Sequence, residues 1–183
     1  MIVPSEKFLQ EVKITPTPDS YQVNIAAVDL RVGQLAYWPD TKNEKTLIGG
    51  LPLCINPGDH FLIQTLESFE IPEDMMAVVY PRSGTNRKGI TVDMTGVVDP
   101  GYKGKLMIPV SNLGQEPVEF YPGERIAQIC FHRVEPHSTE IRESKYHANG
   151  IAALPDKAHE AEALANGSLF EVKIQLLNRH EAT

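Results

Sequence analysis

The chain has 183 residues, 42% of them hydrophobic and 22% charged, which excludes a disordered or collagen-like polymer. Lys and Arg number 17 against 24 Asp and Glu, a net charge of −7, and such an acidic balance is poorly suited to coating nucleic acid. No stretch approaches the ~18 apolar residues of a membrane span, and MIVPSEKFLQEVK, with Glu6 and no long apolar centre, does not read as a signal peptide. The length fits one domain over 1–183, with a core about 21–150 and a C-terminal extension over 151–183. Cys54 and Cys130 lie in LPLCI and IAQICF with no C-x-x-C pair, so both are expected as buried, reduced thiols of a cytoplasmic protein.

In chain order, FLQEVKI at 8–14 reads equally as a short helix or a strand. From residue 21 short apolar runs alternate with turn signals, the texture of an all-β sandwich or barrel. The runs are YQVNIAAVDLRV, LPLCI, HFLIQTLE, MMAVVY, ITVDMTGVV, KLMIPV, VEFY and RIAQICFHRV. Between them stand NPGD, IPED, RSGTNRKG, DPGYKG, NLGQEP and YPGE, rich in Gly, Pro, Asn and Asp. Residues 35–50 read as a hairpin arm or a mobile loop, with Trp38 as packing. PDKAHEAEALAN at 155–166, with Gly167 as a stop, reads as a short C-terminal helix, and SLFEVKIQLL as a last strand.

Four segments carry candidate chemistry. IAAVDLRVG at 25–33 places Asp29 among apolar neighbours, where a carboxylate is costly without partners; it is either a structural acid or a functional one. YPRSGTNRKGI at 80–90 ends a strand at Pro81 and presents Arg82, Ser83, Gly84, Arg87 and Lys88 on a tight turn. Guanidinium groups and turn amides suit phosphate oxygens, and a solvated basic loop would look the same. GVVDPGYKG at 96–104 reads as a hairpin with Asp99 as a candidate base and Tyr102 against a sugar face, or as a plain Pro-Gly turn. YPGERIAQICF at 121–131 sets Glu124, Arg125 and Gln128 along an apolar strand.

In this order and at these intervals, AxDL at 27–30, PRSG at 81–84, GVVDPGYKG and PGERIAQ resemble the conserved motifs of the trimeric dUTPase and dCTP deaminase superfamily, over about residues 21–150. The resemblance implies a mostly β fold, a distorted β-barrel or jelly roll. It also implies a homotrimer with active sites shared between neighbouring chains, and a deoxypyrimidine triphosphate as substrate.

Features of both branches are present. AAVDLRVG, the stretch 57–75, Arg87 after RSG, and SKYHANG at 144–150 are similar to the deaminase branch. That branch also uses a glutamate ten residues after the motif aspartate, and counting from Asp99 the position is Pro109. Proline can neither move a proton nor orient water, and no other carboxylate occurs between Asp99 and Glu116. The stretch GKLMIPVSNLGQEPVEFYPGERIAQICF is instead similar to dUTPase. By that resemblance Asp99 activates water, and Asp29 stands on the side of a Mg2+ held mainly by the triphosphate. Arg82, Ser83, Gly84 and Gln128 then hold phosphate, Tyr102 packs on deoxyribose, and Arg87 and Arg125 are further candidates for substrate binding. Two departures stand out. Asp93 occupies the place of a base-recognising Asn six residues before Asp99, and the Gly-rich motif that closes over the triphosphate is absent from the tail.

The expected activity is hydrolysis of dUTP to dUMP and pyrophosphate with Mg2+. The alternatives are a deaminase of a deoxycytidine nucleotide or a catalytically silent nucleotide-binding relative. No nucleic-acid or membrane partner is expected. The six histidines lack i, i+4 pairing and read as surface or structural.

Overall fold

The computed structural model describes residues 1–41, 43–47, 50–92 and 97–134. The chain divides into two units, Met1–Gly150 and Ile151–Thr183. The second unit lies outside the described residues, as do the helix and strand expected within it and Asp93.

Among its described residues the first unit is mostly β, with two short helices. In chain order the elements are α1 (Ser5–Glu11), β1 (Lys13–Thr15), β2 (Val28–Trp38), β3 (Asn43–Thr46), β4 (Leu53–Ile55), β5 (His60–Glu70), β6 (Met75–Pro81), α2 (Ser83–Asn86), β7 (Ile90–Val92), β8 (Val97–Val98), β9 (Lys103–Asn112), β10 (Val118–Phe120) and β11 (Arg125–Arg133). The main sheet runs β7-β9-β5-β2-β11-β6-β8, with β1 added on β5 and β3 on β2, while β10 and β4 form a separate pair. All these pairings are antiparallel, and the sheet curls into a half-barrel, in keeping with the distorted barrel expected from the motifs. Among the described residues no helix is long and apolar enough to cross a membrane.

Period-2 alternation decides which side chains enter the core. In β5 it buries Phe61, Ile63, Thr65, Glu67 and Phe69 and leaves the residues between them half-exposed. In β9 it buries Leu106, Ile108, Val110 and Asn112. In β11 Ile126, Ile129 and Phe131 turn inward, and Phe131 meets Phe8 at 5.0 Å and Phe69 at 6.3 Å between ring centroids. Trp38 packs on Phe61 at 5.1 Å, as its sequence setting suggested.

Several expectations change. FLQEVKI is both elements in succession, α1 and then β1, and Phe8, Val12 and Ile14 belong to the core, which therefore begins well before residue 21. The 35–50 arm is a hairpin: β2 and β3 pair from Leu35↔Thr46 to Trp38↔Asn43. The 82–89 turn winds into α2, a single helical turn. The segment 96–104 is not a hairpin, because β8 pairs with β6 whereas β9 pairs with β5 and β7. It is a crossing turn pinned to the 71–72 backbone, with Gly101 N–H donating to Pro72 and Ile71 N–H to Tyr102.

The two cysteines are free but not both buried. Cys54 is exposed and Cys130 half-buried. Alternation explains the error at Cys54: Leu53 and Ile55 take the inward positions of β4, so the residue between them points out.

Candidate active site

The site is built where β2, β11 and the end of β6 meet. In β11, Gln128 pairs with Asp29 of β2 on one side and with Tyr80 of β6 on the other. Just past Pro81 the chain turns into α2, bringing Arg82, Ser83 and Asn86 to the same place. A cleft of about 430 Å3 opens there, lined by Asn24, Asp29, Pro81, Arg82, Ser83, Asn86, Arg125 and Gln128.

Asp29 is the organising group. It is only 3% exposed, so its charge has to be answered locally. Its Oδ2 takes Arg82 Nε at 3.1 Å and Arg125 Nη1 at 3.3 Å, and its Oδ1 accepts the Asn24 amide at 3.3 Å. The arginines are fixed by other bonds too: Arg125 Nη1 donates to the Tyr21 carbonyl at 2.7 Å, and Arg82 Nη1 to the Arg125 carbonyl at 3.3 Å. Two guanidinium groups against one carboxylate leave the cleft with a net positive charge. Unused guanidinium N–H groups, the Ser83 hydroxyl and the side-chain amides of Asn86 and Gln128 provide donors for a polyanion.

A divalent cation prefers a shell of anionic and carbonyl oxygens. Both oxygens of Asp29 are already engaged, two positive groups flank it, and among the described residues no three His, Cys, Asp or Glu side chains converge as a metal-holding group. The cleft does not fit a Mg2+ held directly by protein.

The residues expected to act together separate into two places. Arg82, Ser83, Asp29, Arg125 and Gln128 share the cleft, whereas Gly84, exposed in α2, and Arg87, its exposed C-cap, do not line it. Asp99 is exposed and follows β8, whose Val98 pairs with Ala77 near the start of β6, while Arg82 follows the end of that strand. The six steps from Met76 to Arg82 span roughly 20 Å of extended chain at about 3.3 Å per residue. One copy of the chain therefore does not bring Asp99 to the cleft. Tyr102 is 4% exposed, and its hydroxyl donates to the Lys105 carbonyl at 2.7 Å, so burial pushes the phenol up to about 12. Within one copy little of its ring is presented to a ligand.

Asn24 and Asn86 were not singled out in the sequence, where they look like ordinary turn residues. Gln22 and Glu67, buried behind Asp29, were missed as well.

Comparison with known proteins agrees with this architecture. The dCTP deaminase-like family matches residues 5–134. A relative named dCTP deaminase, dUMP-forming, from Methanosphaera stadtmanae is 33% identical over 77% of this chain and 84% of its own. One of the same name from Dictyoglomus turgidum is 36% identical over 78% and 86%. Among solved structures, the 2'-deoxycytidine 5'-triphosphate deaminase of Agrobacterium tumefaciens superposes with a TM-score of 0.61 at 23% identity, over 73% of this chain and 48% of that one, so the present chain spans about half its length. The dUTPase of phage phi11 of S. aureus gives 0.53 at 15% identity, over 73% and 97%. The fold is common to both enzymes, and by family match and sequence identity the chain belongs to the dCTP deaminase-like family.

Proposed function

We propose that the protein hydrolyses dUTP to dUMP and pyrophosphate, as a homotrimer whose sites are completed between copies. The observation that carries this reading is the composition of β9. Lys103–Asn112 contains no carboxylate, and Pro109 stands in the ladder opposite Leu62 where a deaminase would need its glutamate. The half-exposed neighbours on the same face, Met107 and Ser111, supply no acid either. Deamination requires a group that takes a proton from water and returns one to the departing ammonia. Release of pyrophosphate needs less: a grip on the triphosphate and one base for water. The relatives' name, a dCTP deaminase that forms dUMP, joins loss of an amine to loss of two phosphates. The proposed reaction is the second half alone.

In this mechanism Arg82, Arg125, Ser83 and Gln128 hold the triphosphate of a nucleotide whose base and sugar rest against the 99–102 turn of a neighbouring copy. The roughly 20 Å between Asp99 and the cleft within one chain supports such sharing. Asp99 takes a proton from water as the water oxygen bonds to the α-phosphorus. The bond from that phosphorus to the α–β bridging oxygen breaks, and pyrophosphate leaves with the electron pair. Mg2+ arriving on the triphosphate would screen its charge.

A second reading, deamination of dCTP with formation of dUMP, is favoured by the names of the relatives and by the resemblance of Arg87, placed after RSG, to the deaminase branch. Incubating the purified protein with dUTP and dCTP separately, in Mg2+, and resolving the products decides between them. Pyrophosphate and dUMP from dUTP alone support hydrolysis. Ammonia from dCTP overturns it in favour of deamination, and binding without turnover of either marks a silent relative.

A further inference from the structure

Behind the cleft lies a carboxylate that touches none of its lining. Glu67 is fully buried in β5, and three donors converge on it. Gln22 Nε2 reaches Oε1 at 2.9 Å, Arg31 Nε reaches the same oxygen at 2.7 Å, and the Arg31 backbone N–H reaches Oε2 at 2.9 Å. Gln22, 1% exposed, carries this anchorage forward. Its side-chain amide also donates to the Asp29 carbonyl at 3.0 Å, and its own carbonyl accepts the Asp29 N–H at 2.8 Å. Both backbone polar groups of Asp29 thus end on Gln22, whose side chain ends on Glu67.

A buried ion pair is seldom the most stable filling for a core, and an apolar residue of similar volume often does as well or better. The geometry points to Glu67 as a positioning residue. Through Gln22 and Arg31 it fixes the backbone at Asp29, and with it the separation of Arg82 and Arg125 on which the anion grip depends. This rests on the reading of the cleft as a triphosphate site. A glutamine at 67 would keep the volume but offer one acceptor oxygen to three donors, bring two N–H groups of its own and leave Arg31 without a counter-charge.

The test uses the full chain with Gln22→Ala, Glu67→Gln and the double variant. Each is titrated with inorganic tripolyphosphate by calorimetry and melted thermally, and the Gln22→Ala protein is crystallised beside the parent. Gln22→Ala cuts the link to Asp29 while leaving the Glu67–Arg31 pair in place. Each single variant is expected to weaken tripolyphosphate about tenfold, the effect of stranding one buried polar group. The double variant should lose no more than the worse single one, because both act through one chain of contacts. In the Gln22→Ala crystal the Asp29 contacts should open beyond the parent's 3.1 and 3.3 Å.

Variants that melt earlier but keep the parent's affinity and Asp29 geometry would make Glu67 a structural residue only and overturn the proposal, as would losses that multiply in the double variant. Should Glu67→Gln fail to fold, Gln22→Ala decides alone. Should the parent bind no tripolyphosphate, the triphosphate reading falls, and the Asp29 separations still decide the positioning role: opened contacts support it, unchanged ones overturn it.

Discussion

Replacing Gly33 by alanine would place a methyl group against the backbone of the neighbouring strand. A Cβ at 33 lies 2.6 Å from the Gln64 carbonyl oxygen and 2.8 and 2.9 Å from the Thr65 oxygen and carbon. Comfortable non-bonded approach begins about 3.5 Å away, and no side chain can rotate out of the path. β2 must move off β5 by several tenths of an ångström, where Val32 pairs with Thr65 and where the Thr65 hydroxyl donates to the Glu67 carbonyl and accepts the Leu106 N–H. Overpacking a core costs about 1–3 kcal/mol, and an immovable obstacle belongs at the upper end. The lower entropy of an unfolded alanine returns roughly 0.5–1 kcal/mol, leaving a net loss of about 2 kcal/mol. For a chain of this size that lowers Tm by about 6 °C. Urea unfolding at matched protein concentration measures it, with Gly84→Ala as the control, since nothing lies within 4 Å of a Cβ there. A Gly33→Ala protein within about 0.5 kcal/mol of the parent would refute the close-approach argument.

Asp99→Asn should leave the unfolding midpoint unchanged, because the side chain is exposed, while steady-state hydrolysis of dUTP falls about 10^3-fold; a rate within tenfold of the parent removes Asp99 from the base role. Arg125→Ala loses the Asp29 contact and the bond to the Tyr21 carbonyl, and is expected to raise KM for dUTP about tenfold with a smaller change in kcat, read from initial rates. Burial holds the Tyr102 phenol protonated up to about 12, against an ordinary value of 10.0. The folded pKa is the higher one, so its contribution is intact below pH 10.0 and is lost as pH rises through about 12. Unfolding measured at pH 9 and pH 11.5 should therefore show a steeper alkaline loss in the parent than in Tyr102→Phe. A thiol reagent should modify Cys54 before Cys130, which is less exposed and whose thiol burial pushes up; the reverse order would contradict the outward placement of Cys54.

Much of the fold was legible because alternating strands and Pro-Gly turns are local signals. β5, β6, β9 and β11 all lie on runs the sequence displayed, and Asp29, Arg82, Ser83, Arg125 and Gln128 meet in one cleft. What escaped was mostly non-local. The 96–104 segment looks like a hairpin because a Pro-Gly turn joins two apolar runs, but strand partners are chosen elsewhere in the sheet. The polar pair behind Asp29 did leave a trace: Glu67 falls in the inward phase set by Phe61, Ile63, Thr65 and Phe69. An acid in that phase must find partners, and Gln22 and Arg31 are those partners. Asn24 and Asn86 leave no such trace, since nothing in their local sequence differs from a plain turn.

The central place of β11 has a consequence for how the protein is made. The last strand described in the chain is inserted between β2 and β6, pairing Ile129 with Val28 on one flank and Val79 on the other. During synthesis, at about 5–20 residues per second, the two flanking strands emerge with their inner edges open. They wait for a partner that comes only when residues 125–133 have left the ribosome. Pairings so distant in sequence favour slow folding, and open strand edges are templates for association with other chains. The nascent chain is therefore most vulnerable to aggregation in the interval before β11 arrives, and slowing translation between β6 and β11 would lengthen that exposure.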